Sequence, residues 1–64
     1  MAALADLRFI GAPVDDSVAT ARFIAGLVLT RRQKASLLKE FLAERGVPLS
    51  DEVRAAADPF AEAL

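Results

Sequence analysis

The side chains able to do chemistry make a short inventory in this 64-residue sequence: nine carboxylates, eight cations and the hydroxyls of Ser and Thr. His, Cys and Tyr are absent. The usual general bases, the thiol nucleophile and the soft metal ligands are therefore missing, and catalysis would have to run on Asp, Glu, Lys, Ser or Thr alone. Asp15-Asp16 and Asp51-Glu52 are adjacent acidic pairs, but sequence neighbours on a helix point apart, and both pairs stand where helix capping explains them. Neither lies in a loop of alternating oxygen donors of the kind that Mg²⁺ or Ca²⁺ takes. Gly11, Gly26 and Gly46 are isolated, so no Gly-rich phosphate loop exists. The expectation is a protein that is not an enzyme, with no metal, no cofactor and no small-molecule substrate.

What charge chemistry there is concentrates at Arg31, Arg32 and Lys34. The balance from residue 31 to 45 is +3 and from 46 to 64 it is −3, although the whole chain carries only −1. A basic helix is thus followed by an acidic tail. The three cations fall in the first turn of that helix, where the macrodipole favours anions by about 0.3 to 1 kcal/mol. Such a local violation marks a candidate contact for an anion, an acidic partner or a nucleic acid. Solvated surface charges, or pairing within the fold with Asp58 or Glu62, is the plainer reading.

The elements that must position these groups are set by a repeated punctuation. Gly11-Ala12-Pro13-Val14-Asp15, Gly26-Leu27-Val28-Leu29-Thr30 and Gly46-Val47-Pro48-Leu49-Ser50 each run from Gly through linking residues, the last apolar, to an N-cap type. Gly takes the left-handed position that ends a helix, and Asp, Thr or Ser accepts from an orphaned helical N–H. Three junctions predict four helices, at about residues 3–10, 16–25, 31–45 and 51–57. Thr30 and Gln33 fit a capping box. A last turn starts at Asp58-Pro59, with Asp58 as its cap and Pro59 at its first position, and Phe60 and Leu64 lie four apart on one docking face. The fold class is all-α: one small compact domain over residues 1–64 with short helices joined by Gly-x-x-apolar-N-cap turns. Alternatives are a helical hairpin, one long central helix over residues 17–45 that absorbs Gly26, and a strand at Leu7-Arg8-Phe9-Ile10. Arg31 and Lys34 would interrupt the apolar stripe of the long helix.

Composition narrows the rest. Fourteen residues are Ala, so much of the 55 % apolar content is helix propensity and not a demand for burial. The remaining excess is local. Val18, Phe23, Ile24, Leu27, Val28 and Leu29 cover most of the circumference of segment 18–29, and a segment apolar nearly all round must be covered all round. Two short helices and one face of the third are little cover. Phe23, Ile24, Leu27 and Val28 are therefore the expected subunit or partner interface, unless they are simply the monomer's core. The third helix is amphipathic, with Ala35, Leu37, Leu38, Phe41 and Leu42 on one face and Arg32, Gln33, Ser36, Lys39, Glu40 and Glu44 on the other.

The function expected is a protein–protein interaction or assembly module, self-associating or docking a protein partner. The alternative is a nucleic-acid-binding regulator. Ile24-Ala25-Gly26-Leu27 followed by Thr30-Arg31-Arg32-Gln33 loosely resembles the lead-in to the scaffold helix of a helix-turn-helix domain. That resemblance implies a recognition helix beginning near residue 51, but Asp51 and Glu52 would face phosphates there. With the roles shifted, the third helix reads, offering Arg31, Arg32, Gln33, Lys34 and Ser36 from its start. No stretch reaches the ~20 apolar residues of a spanning helix, and residues 1–10 lack a basic leader region, so a cytoplasmic protein without a membrane role is expected. Six Arg against two Lys in an Ala-rich chain suggest GC-rich coding, as in some bacteria and their phages.

Overall fold

Side-chain caps and glycines divide the chain into the expected helices. The computed structural model describes residues 3–64, with α1 at Ala3–Phe9, α2 at Ser17–Ala25, α3 at Arg31–Arg45, α4 at Asp51–Ala56 and a closing 3₁₀ helix at Asp58–Ala63. Residues 1 and 2, which open the stretch read above for a leader, lie outside the described residues. Asp16 Oδ1 accepts from Ala19 N at 3.1 Å, Thr30 Oγ1 from Gln33 N at 3.1 Å and Ser50 Oγ from Val53 N at 3.3 Å, starting α2, α3 and α4. Gln33 Oε1 accepts in return from Thr30 N at 3.0 Å, completing the capping box. All described residues are helical or lie in turns and links, with no strand among them.

Three local expectations are corrected, and two alternatives do not form. The cap of α2 is Asp16, not Asp15, because a turn closed by Asp16 N on Pro13 O at 3.0 Å carries the chain one residue further before the helix starts. Gly11 and Gly46 are left-handed, with φ of 87° and 67°, but Gly26 has φ −85°. There the helix tightens, with Gly26 N on Phe23 O and Leu27 N on Ile24 O, and the chain leaves without a left-handed residue. The long helix over 17–45 does not form, since residues 26–30 are non-helical, and residues 7–9 belong to α1 and not to a strand. Asp58 makes no side-chain cap; the 3₁₀ helix is opened instead by Phe60 N on Ala57 O at 2.8 Å.

Packing centres on α3. It lies against α1, α2 and the 3₁₀ helix, while α2 also meets α4 and the 3₁₀ helix. Ala35, Leu38, Phe41 and Leu42 supply α3's buried face. Leu7 comes from α1, Ala21 and Ile24 from α2, Val53 from α4 and Phe60 from the 3₁₀ helix, all within one core. Phe60 is wholly buried in that core and Leu64 packs partly buried against it, but the element is a 3₁₀ helix of three residues per turn, so the spacing of four does not set the two on one face. The buried Thr20 hydroxyl donates to Pro13 O at 2.7 Å and ties the first link to α2. With a least extent of 19 Å, the molecule is about two helix diameters thick. Each helix therefore has one face in the core and one in solvent. Among the described residues no helix is long and apolar enough to cross a membrane.

Candidate interaction surface

Segment 18–29 is divided by the fold between inside and outside. Ile24 is fully buried in the monomer core, and Phe23 is half-buried against that core. Leu27 is half-buried in the link. Val28 is fully exposed and Leu29 is 41 % exposed. Of the four apolar residues singled out in the sequence, Ile24 thus offers no surface to a partner, whereas Val28 offers all of its own. Short elements supply the cover that seemed lacking: α4 and the 3₁₀ helix both press on α2.

The cations at the start of α3 separate in the same way. Lys34 Nζ donates to the carbonyl oxygen of Ala25 at 2.7 Å, across the break between the two helices. A cation disfavoured at the N-terminus of α3 is thereby set at the C-terminus of α2, where the exposed carbonyls and dipole favour it. Arg31 donates to and ion-pairs with Glu62 on the 3₁₀ helix, joining the basic helix to the acidic tail. That hydrogen bond, aided by one from Glu62's own backbone N–H, holds the Glu62 carboxyl below the ordinary Glu range. Both side chains stand largely in solvent, so the pair is a weak tether. Arg32 is exposed and has no ion-pair partner among the described residues.

Arg32 borders a shallow open groove of about 440 Å³, lined also by Leu29, Gln33, Ser36, Leu37 and Glu40. The groove therefore joins the exposed apolar link to the outer face of α3. Leu29 and Leu37 give it apolar walls, and Arg32 and Glu40 put opposite charges toward its two ends. A second exposed apolar pair, Phe9 at 90 % and Ile10 at 49 %, stands at the end of α1. Neither the groove nor this pair was singled out in the sequence; Phe9-Ile10 reads there as an ordinary helix end, and the groove depends on where the link turns.

One polar contact of α3 is legible only in three dimensions. Glu44, on the polar face by periodicity, turns its carboxylate to the start of α1 and accepts from Ala3 N at 3.0 Å and Leu4 N at 3.4 Å. It caps a helix 40 residues away in sequence, a role that no local pattern signals. Asp15 and Arg45 approach at 3.7 Å, a loose surface pair linking the first link to the end of α3. Among the described residues no three acidic side chains gather into a metal site. Comparison of the chain with protein families, with curated proteins and with solved structures found no match.

Proposed function

We propose that this chain is a non-enzymatic interaction module that works by helix-face association with a protein surface, its own copies first. The observation that carries the reading is the fully exposed Val28, beside the partly exposed Leu29 at the edge of the α3 groove. Adjacent exposed apolar side chains that continue into an apolar-walled groove supply the kind of contiguous patch a partner covers. Within the same reading Arg32 and Glu40 give the contact its orientation, since charges around an apolar patch select partners more than they tighten them. The chain's lack of His, Cys and Tyr supports association over catalysis. Nucleic-acid binding is the less favoured reading, because Lys34 is engaged within the chain, Arg31 has the Glu62 carboxylate beside it, and residues 46–64 carry −3.

Native mass over a concentration series tests this. Association should exceed the 6.8 kDa monomer as concentration rises and should weaken in Val28→Asp, a surface change that leaves the helical circular dichroism intact. A monomer at every concentration, purified with no accompanying protein, would overturn the reading. Low-salt binding to nucleic acid that weakens steeply with added salt, and with Arg32→Ala, would replace it by the alternative.

A further inference from the structure

On the outer face of α3 the two groove charges have no opposite charge within their own helical reach. Within α3 the positions three and four residues from Arg32 are Ala35 and Ser36; those around Glu40 are Ser36, Leu37, Ala43 and Glu44. Glu44 is committed to the start of α1. Arg32 and Glu40 are eight residues apart, so they are separated by about 12 Å along the axis, too far to pair with each other. Arg32 stands exposed and Glu40 half-buried, and neither forms an ion pair among the described residues. Helices ordinarily place opposite charges three or four apart. Here the position between the two charges is a serine.

The pattern is symmetric about that serine. Counting outward from Ser36, Arg32 and Glu40 lie four residues to either side, all three within α3. Residues four apart share one stripe of a helix. Reversing the direction of the stripe and laying it on itself sets Arg32 against Glu40 of the other copy twice. Ser36 meets itself on the axis, where a small side chain allows close approach. We propose that this face is occupied by a second copy of the chain, α3 running antiparallel to α3 about a two-fold axis through Ser36, with reciprocal Arg32–Glu40 pairs. This is the self-complementary geometry that a closed two-fold contact requires. The proposal rests on the reading of the protein as an association module and names its partner. A parallel pairing would bring Arg32 onto Arg32 and Glu40 onto Glu40 and is disfavoured by the same charges.

The chain has no cysteine, so Ser36→Cys introduces a single thiol on the axis. Under mild oxidation it should form a disulfide-linked dimer at least about tenfold faster than Ala55→Cys, a control at another exposed position, on α4, at the same concentration. Arg32→Glu and Glu40→Arg should each weaken self-association by about tenfold, because the axis makes every substitution act twice. The doubly substituted R32E/E40R chain should recover it, which also shows that the single variants were folded. Wild-type association with no preferential Ser36→Cys crosslink and no recovery in R32E/E40R overturns the antiparallel α3 contact while leaving the module reading in place. A wild-type chain that stays monomeric overturns the contact, and if no other protein accompanies it the module reading falls as well.

Discussion

Thr30→Ala discriminates the observed break between α2 and α3 from a continuous helix by the sign of its effect. Thr30 has extended φ and ψ of −71° and 159°, its hydroxyl accepts from Gln33 N at 3.1 Å, and its own N–H donates to Gln33 Oε1 at 3.0 Å. Alanine in its place leaves the Gln33 N–H without its side-chain acceptor, and loss of an N-cap costs about 1 kcal/mol. In a domain of this size that lowers Tm by about 4 to 8 °C. If residues 17–45 were instead one helix, position 30 would be interior, and Thr→Ala would stabilise by up to about 0.7 kcal/mol through propensity alone. Thermal unfolding followed by circular dichroism reads the difference. Gln33→Ala should cost less, since it removes only the return bond. The double variant should lose less than the sum, because the two bonds form one box. A rise in Tm on Thr30→Ala would refute the helix boundary and, with it, the exposed link on which the candidate surface depends.

Three further outcomes follow from the same structure. Gly26→Ala should be neutral or stabilise by up to about 1 kcal/mol, since its φ is −85° and an added Cβ would lie 3.6 Å from Phe23 O, whereas Gly46→Ala, at φ 67°, should destabilise by about 1 to 2 kcal/mol; urea titration giving both variants the same midpoint would contradict this. Phe60→Ala should cost about 3 to 5 kcal/mol, enough to leave so small a domain largely unfolded, and a cooperative transition near the wild-type Tm would show that the 3₁₀ helix is not part of the core. Because the Glu62 carboxyl is held below its ordinary range when folded, the small stability it gives is present above the unfolded value and is lost as pH falls through the folded one; an NMR titration should find its pKa raised in Arg31→Ala, and an unchanged value would remove the Arg31 tether.

What the sequence made legible was local. Gly11 and Gly46 need left-handed backbone, and Thr30, Ser50 and an Asp near 16 cap helices, all because these effects act within a few residues. The position of Asp16 as cap, one residue later than read, turned on a Pro13 turn whose closure depends on the whole link. Gly26 misled because glycine permits a left-handed ending without requiring one. The site was harder to read for the same reason. Burial of Ile24 but not Val28 depends on where α4 and the 3₁₀ helix land, and the capture of Lys34 by Ala25 O depends on the angle between α2 and α3. Two of the three cations that violate the dipole of their own helix, Arg31 and Lys34, satisfy neighbours instead, a pairing visible only once the helices are adjacent.

Self-association through the groove is tested most directly by amide NMR spectra of the wild-type chain recorded over a dilution series. Concentration-dependent shifts should cluster at Val28, Leu29, Arg32, Ser36, Leu37 and Glu40, with Phe9 and Ile10 unmoved. Shifts confined to the end of α1, or spectra independent of concentration up to the solubility limit, would contradict a partner copy on the outer face of α3.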